Sequence, residues 1–274
     1  MIAAVPIALA LALSPGASNQ RRQREEARYR RLEELRSLDA TSATSTPQSP
    51  LQKELDGLES LGDPYDASLF TAEHAAFKAG HNLAFSDLAR YLTARPDHSP
   101  CPVFYLDGSD GATSAALIAA GFDRETDLFV ANEWEESVAA LRSEPFLLVE
   151  RNCLLGRAQD VLRTGRLQGM PFVAAYLDGC GGAPGPILEM VEALFSGIVA
   201  PAMAVGFTLT AADPGGRELI DRVQDVTRGA MRIAGKGGFD MRHVGDDPAR
   251  YAVDPGLPRK VDGTTTCWLV FSKE

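Results

Sequence analysis

Two acidic residues of this chain follow apolar runs at places where a ligand site can form. The run Val103–Leu106 ends at Asp107, and a turn follows that reads Gly108, Ser109, Asp110, Gly111. The glycines lack a Cβ atom, so the backbone can turn sharply and approach a ligand closely. Glu133 ends a second apolar run, 26 residues after Asp107, near the ~20-residue offset at which an acid meets a ribose in nucleotide-binding α/β folds. The turn is DGxxG rather than GxGxxG, so an ordinary strand, turn and helix remains the alternative.

A third acid, Asp178, follows the clearest buried run of the chain, Phe172–Leu177. Gly179, Gly181 and Gly182 come after it, so a substrate can pass close to the main chain there. Both Asp107 and Asp178 have a structural alternative, since a carboxylate at the end of a strand also caps a following helix.

Strands and helices alternate from Val103 onwards, and this pattern predicts a mostly parallel sheet with helices on both faces. The first helix opens at Thr113 or Ser114, which are expected to cap it. The predicted strands are 103–106, 127–131, either 146–150 or 153–155, 172–177, 204–209, 239–244 and 265–271. The predicted helices are 51–61, 72–93, 135–142, 159–166, 186–195 and 217–233.

The first 52 residues differ in composition from the rest. Ile2–Leu13 is apolar but too short to span a bilayer, Arg21–Leu38 is a charged helix, and Ala40–Pro50 is a Ser/Thr/Pro linker. We therefore predict a targeting or charged segment with a disordered linker at 1–52 and one α/β domain at 53–274, in which 53–102 is a helical lead-in and 103–274 the core. Residues 1–39 are a candidate signal or transit segment, and localisation stays open between cytoplasm and organelle.

Composition bounds the classes of function. A formal net charge of −10 over 274 residues does not favour unaided nucleic-acid binding, although local basic patches are compatible with it. Four cysteines and four histidines lack metal-ligand spacing, so no metal site is predicted, and the thiols are expected to be small buried groups. No Walker A or G-x-S-x-G sequence is present.

The order of elements resembles that of class I S-adenosylmethionine (SAM)-dependent methyltransferases over residues 80–274. Four segments carry the resemblance: YLDGSDGATS at 105–114, VANE at 130–133, AYLDGCGGAPGP at 175–186 and TTCWLVFSK at 265–273. The resemblance implies a Rossmann-like sheet of about seven strands with a final antiparallel strand. It also implies SAM as cofactor and a methyl acceptor, either an RNA base or a small molecule, as partner.

The resemblance also implies roles for individual residues. Asp107 and the Gly108–Gly111 turn, which includes Ser109, would hold the amino-acid end of SAM, with Asp110 accepting from its ammonium group. Glu133 would accept from the ribose hydroxyls, with Asn132 as the alternative, and Gln159 or Asp160 would contact the adenine. Asp178 would orient the acceptor or remove its proton.

Departures from the family pattern leave other functions open. The first turn lacks GxGxG, and Arg157 stands where an acid is common. One alternative is a catalytically degenerate methyltransferase-like protein that binds a partner. Another is an oxidoreductase with a nucleotide cofactor, which the missing GxGxxG makes less favoured.

Overall fold

The structure is a computed structural model that describes residues 31, 34–35, 72–93, 100–178, 183–210, 217–242, 259–261 and 264–273. The chain divides into two compact units, Met1–Leu69 and Phe70–Glu274. In the first unit the described residues are helical, and Arg31 and Glu34 form an ion pair of 2.8 Å. The rest of the predicted N-terminal segment, the linker, the helix predicted at 51–61 and the boundary at 52/53 lie outside the described residues.

The second unit is built on one sheet, to which the described residues contribute eight strands. They are β1 Val103–Leu106, β2 Leu128–Asn132, β3 Cys153–Leu155, β4 Phe172–Leu177, β5 Val199–Leu209, β6 Asp240–Arg242, β7 Arg259–Val261 and β8 Thr264–Ser272. Their order across the sheet is β3-β2-β1-β4-β5-β8-β6, and β7 pairs with β8. The neighbours from β3 to β5 are parallel, whereas β8 is antiparallel to both β5 and β6. The predicted mostly parallel sheet with a final antiparallel strand is confirmed.

Helices cover both faces of this sheet, as predicted. The described helices are α1 Ala72–Thr93, α2 Ala112–Ala119, α3 Glu135–Arg142, α4 Ala158–Leu162, α5 Gly165–Gln168, α6 Pro184–Ser196 and α7 Leu219–Lys236. Side chains of α1, α2 and α3 join one apolar cluster, and those of α4 to α7 join the other. In β1, Val103 and Tyr105 belong to the first cluster and Phe104 to the second. Because both faces are buried, the central strands are apolar at nearly every position.

Several element bounds agree with the sequence prediction and others need correction. α1, α3 and β4 have the predicted bounds, and the ambiguity over strand three is resolved in favour of Cys153–Leu155. The single helix predicted at 159–166 is wrong, because the chain breaks into α4 and α5 at Thr164. The hydroxyl and the backbone N–H of Thr164 both donate to the Val161 carbonyl, which ends α4 early. β5 begins at Val199 rather than at 204, and β7 was not predicted.

The direction of chain progression across the sheet reverses between β1 and β4. From β1 the chain continues to β2 and β3 on one side, whereas β4 and β5 lie on the other. In open α/β sheets the crevice at such a reversal, outside the carboxyl ends of the strands, is where ligands bind. Asp107 follows β1 and Asp178 follows β4, so both residues lie at this crevice.

Candidate functional site

Three of the predicted site positions fall in one row across adjacent strands. β1 pairs with β2 so that Leu106 lies opposite Ala131, and with β4 so that Tyr105 lies opposite Tyr176. Continuing both registers to the strand ends sets Asp107 beside Asn132 and Asp178. Neighbouring strands are ~4.8 Å apart, so the topology brings the three residues together at the carboxyl edge of the sheet.

The Asp107 carboxylate binds the first turn of α2. Its Oδ2 accepts hydrogen bonds from the Ser114 N–H and from Ser114 Oγ, both at 2.7 Å, and its Oδ1 accepts from the Thr113 N–H at 3.3 Å. The N-cap residue is Gly111, in the left-handed conformation with φ of 58°. The predicted cap at Thr113 or Ser114 is therefore wrong, because Asp107 satisfies these amides from across the turn. An anion at a helix N-terminus is also electrostatically favourable.

Burial controls the ionisation of Asp107. The residue is only 4% exposed, and its burial raises the pKa of the carboxyl to about 6, against the opposing effects of the Lys78 charge and the Ser114 hydrogen bonds. The Asp110 charge raises this pKa further. Asp107 therefore changes its charge close to neutral pH, and any cation that binds nearby favours its ionised form.

A buried hydrogen-bonded chain supports the same turn from below. The Ser114 hydroxyl donates its proton to Asp107, so in its 3.0 Å contact with the Tyr105 hydroxyl it is the acceptor. The Thr113 hydroxyl donates to Oδ1 of Asn82 on α1 at 3.1 Å. Burial raises the pKa of Tyr105 well above its ordinary value, so its phenol is a neutral donor. Tyr105 and Tyr176 are both buried in the core.

The glycine turn exposes its polar residues and buries its last glycine. Ser109 and Asp110 are exposed, Gly108 is half-buried and Gly111 is buried. A Cβ atom at Gly111 would lie 2.3 Å from Cζ of the Phe146 ring, which no side chain can tolerate without a shift of the ring. The turn therefore depends on glycine at 111 both for backbone conformation and for space.

Asn132 joins the carboxyl ends of β1 and β2. Its Nδ2 donates to the Asp107 carbonyl oxygen and its Oδ1 accepts from the Trp134 N–H, both at 2.8 Å. Glu133, the next residue, is half-buried. The Asn132 amide thus has a structural function at the edge where Glu133 stands.

Asp178 forms an ion pair with Lys78 of α1. The Lys78 Nζ lies 3.7 Å from Asp178 Oδ2, and the two side chains are 20% and 10% exposed. The N-cap residue of α6 is Ala183, so Asp178 is not the N-cap of the helix after β4. Gly179, Gly181 and Gly182, where a substrate is predicted to pass close to the main chain, lie outside the described residues.

Lys78 is the site residue that the sequence prediction missed. It lies near enough to Asp107 to lower the pKa of that carboxyl and pairs with Asp178 directly. Its position in the sequence was a usable signal. Residues 78, 81, 82 and 85 recur at helical spacing, so Lys78 lies on the same stripe of α1 as the three residues that enter the core. A lysine on a buried stripe indicates a nearby carboxylate or a ligand.

The same stripe anchors α1 over the site. Trp268 Nε1 donates to His81 Nδ1 at 3.1 Å, and Phe85 packs against the rings of Tyr105, Tyr176 and Trp268. His81 and Asn82, which lie on this stripe, are both buried. These contacts fix α1 across β1, β4 and β8 and so determine where the Lys78 side chain reaches.

The residues predicted to contact adenine lie on α4, beyond β3. Gln159 Nε2 donates to Glu189 Oε2 of α6 at 3.3 Å, and Asp160 is exposed in the first turn of α4. Leu155 of β3 lies opposite Asn132, so α4 begins near the row formed by Asp107, Asn132 and Asp178. The structure brings Gln159 and Asp160 to the same edge but gives them no contact with Asp107, Asp178 or Lys78 among the described interactions.

The described cysteines are buried, as predicted, and Cys180 lies outside the described residues. Burial raises the pKa of the Cys101, Cys153 and Cys267 thiols to about 11, about 11 and about 12. They are therefore protonated at neutral pH. The described part of the chain holds no group of three or more His, Cys, Asp or Glu residues placed to bind a metal ion. Among the described helices, none combines the length and the apolarity needed to cross a membrane.

Comparisons with known proteins return similarity at the level of structure. No family model and no curated protein matches this sequence. An O-methyltransferase from Bacillus cereus, solved with SAH, is 14% identical with a TM-score of 0.43 over 89% of this chain and 90% of that one. An O-methyltransferase family protein from Burkholderia thailandensis is 10% identical with a TM-score of 0.44, over 94% and 72%.

The similar structures also include an enzyme whose name is not that of a methyltransferase. Spermidine synthase from Thermotoga maritima is 11% identical with a TM-score of 0.39, over 72% of this chain and 60% of that one. At these identities and scores the similarities carry no argument for an activity, which has to come from the site residues.

Proposed function

We propose that this protein is a SAM-dependent methyltransferase whose cofactor lies at the carboxyl edge of the sheet, between β1 and β4. The observation that carries the proposal is the group of charged residues at this crevice. Asp107 and Asp178 end the two strands on either side of the reversal, and Lys78 reaches both from α1.

The chemistry of this group fits SAM, which carries an ammonium, a carboxylate and a ribose diol. Asp107 precedes the glycine turn, Asp110 lies within it, and Lys78 is the cation near Asp107. Asp110 is exposed and can accept from an ammonium group, while Lys78 can bind a carboxylate. A ligand with both charges on one end therefore finds partners for both within this crevice.

Glu133 is the residue to which we assign the ribose hydroxyls. A carboxylate can accept from both hydroxyls of a diol. Asn132, the alternative, uses its amide to join the β1 and β2 ends, and this favours Glu133. Gln159 and Asp160 stay the proposed adenine contacts, by their position after β3.

Asp178 is proposed to act on the acceptor. SAM, when bound, supplies a methyl group on a cationic sulfur, so the protein mainly has to position the acceptor in line with it. A carboxylate in this place can accept a hydrogen bond from an N–H or O–H acceptor, and can take its proton as the new bond forms. The ion pair with Lys78 holds the Asp178 carboxylate at the crevice.

A second candidate function is a methyltransferase-like protein that binds SAM or a partner without turnover. It is favoured because both strand-end carboxylates already have structural partners. Asp107 binds the first turn of α2, and Asp178 forms an ion pair with Lys78. The acceptor class, an RNA base or a small molecule, is a separate question in either case.

Thermal unfolding in the presence of SAM, S-adenosylhomocysteine (SAH), NAD⁺ and NADH tests the proposal. A ligand that binds only the folded state raises the unfolding temperature with its concentration. We expect a rise with SAM and SAH and none with the nicotinamide cofactors. A rise with NAD⁺ or NADH alone would support an oxidoreductase, and no response to any of the four would refute the proposal. SAH binding without methyl transfer to any acceptor would favour the degenerate form.

A further inference from the structure

A cavity is lined by residues of α6 and α7 and by Arg217, which precedes α7. Its volume is about 800 Å³, and we call it the arginine groove. It is lined by Pro184, Gly185, Leu188, Arg217, Asp225, Arg228, Met231 and Arg232. Nothing in the proposed cofactor site uses these residues.

The shape of the groove follows from close packing of the two helices. A Cβ atom at Gly229 would lie 2.4 Å from Cδ2 of Leu188, so glycine allows α7 to approach α6 closely at this point. Leu188 and Met231 give the groove an apolar floor beside that contact, and Met231 is 44% exposed. The floor can therefore pack against the face of a planar group.

The walls of the groove are cationic. Among the described lining residues are three arginines and one aspartate, a formal sum of +2. Arg217 and Asp225 form an ion pair, which leaves the excess positive charge with Arg228 and Arg232. These two residues are four positions apart on α7, about 6 Å along the helix axis, and both are exposed. Arg228 Nη2 donates to Gln224 Oε1 at 2.7 Å, which restrains its guanidinium along the helix.

We infer that the arginine groove binds the phosphate backbone of single-stranded RNA. Guanidinium groups match the geometry of phosphate oxygens and bind them through paired hydrogen bonds. A positively charged groove follows the backbone of a single strand, and the aliphatic side chains beside it, Leu188 and Met231, give unpaired bases an apolar contact without aromatic stacking.

The net charge of −10 does not oppose this inference. At physiological ionic strength the field of an exposed charge decays over about 8 Å. An RNA phosphate in the groove therefore responds to the nearby guanidinium groups much more than to acids on other surfaces. Charge complementarity here is a local property of α7 and not of the whole protein.

The position of the groove relates it to the proposed methyl acceptor. Pro184 and Gly185 form the first turn of α6, six residues after Asp178. Binding of RNA in the groove does not depend on the proposed function. The further statement that this RNA is the methyl acceptor does rest on it.

Fluorescence anisotropy with a labelled single-stranded RNA of 12 nucleotides tests the inference. The test variant is Arg228→Gln with Arg232→Gln. The matched control is Arg151→Gln with Arg166→Gln, which removes two exposed arginines whose described side-chain partners, Glu125 and Asn152, lie outside α6 and α7. Both variants change the net charge equally, so only a local site separates them.

We expect the wild-type protein and the control to bind the RNA equally, and the test variant to bind about tenfold or more weakly. The slope of log Kd against log salt concentration should fall by about 1.4, since each phosphate contact on a single strand contributes about 0.7. Two further titrations add uridine monophosphate or polyglutamate as a competitor of the labelled RNA. Equal loss in both variants, no RNA binding by the wild type at low salt, or equal competition by polyglutamate would overturn the inference. Displacement by the free nucleotide at lower concentration than by RNA would overturn the assignment to a polymer.

A parallel calorimetric titration with SAH separates this inference from the proposed function. The test variant should bind SAH as the wild type does. RNA binding in the absence of any SAH binding would leave the groove assigned and refute the methyltransferase.

Discussion

Replacing Asp107 by asparagine should remove a defined pH dependence from the free energy of unfolding. The folded carboxyl has a pKa of about 6, raised by burial from an ordinary value of 3.8. Between these two values the folded chain holds a proton that the unfolded chain has released. The free energy of unfolding therefore falls as the pH rises through this window. Asparagine keeps the shape and does not titrate.

The magnitude follows from the two pKa values. Each pKa unit corresponds to about 1.4 kcal/mol, so the whole window from acid to alkaline pH amounts to about 3 kcal/mol for Asp107. Linkage places about 1.4 kcal/mol of this loss between pH 5 and pH 8, with the midpoint near the folded pKa. The contribution is fully present below the unfolded pKa and is lost as the pH rises through about 6.

Urea unfolding of the wild-type and Asp107→Asn proteins at pH 5, 6, 7 and 8 measures this difference. The other titrating groups are common to both proteins, and the hydrogen bonds changed by asparagine give an offset that is equal at every pH. We expect the stability difference, variant minus wild type, to rise by about 1.4 kcal/mol from pH 5 to pH 8. Parallel pH profiles would refute a buried, titrating Asp107 and with it the arrangement of Asp107 at the start of α2.

Three further predictions concern neighbouring residues. Lys78→Met should raise the pKa of Asp107 above about 6, so the same stability profiles should show the loss at higher pH; an unchanged midpoint would mean that Lys78 does not face Asp107. Asp178→Asn should leave the SAH dissociation constant within a few-fold and abolish methyl transfer to the true acceptor, whereas full turnover would remove Asp178 from the chemistry. Gly111→Ala should lower the free energy of unfolding by about 1–3 kcal/mol, because alanine is strained at the positive φ of this residue and its Cβ atom would clash with the Phe146 ring. Gly235→Ala, in open space on α7, is its control and should be neutral or slightly stabilising.

Much of the fold could be predicted from the apolar runs and from the turn and loop residues that separate them. β4 is apolar at all six positions because both faces are covered, and such a run has one interpretation in an α/β pattern. Once parallel strands are assigned, their carboxyl ends must share one edge, so the meeting of Asp107, Asn132 and Asp178 follows from the pattern. The bounds of α1 and α3 follow from helical spacing of apolar residues.

The parts that could not be predicted depend on tertiary contacts. The partners of Asp107 are amides six and seven residues ahead, and only the folded turn brings them to the carboxylate. Lys78 belongs to a helix that precedes the sheet, and its proximity to Asp178, 100 residues later, is set by the packing of α1. β7 is three residues long and exists through pairing with β8; the Asp262-Gly263 sequence between them is a hairpin signal that the sequence prediction did not use.

Titration calorimetry of SAH binding to the wild type, Glu133→Gln and Glu135→Gln tests the proposed cofactor site most directly. Glu135 is exposed in the first turn of α3, two residues beyond Glu133, so its variant removes the same charge from the same surface. Loss of a charge-assisted hydrogen bond of about 1.5–3 kcal/mol corresponds to about ten- to a hundredfold in affinity. We expect this loss in Glu133→Gln and wild-type affinity in Glu135→Gln. Equal affinity in all three proteins would contradict the assignment of Glu133, and no SAH binding by the wild type would contradict the proposed SAM-dependent activity.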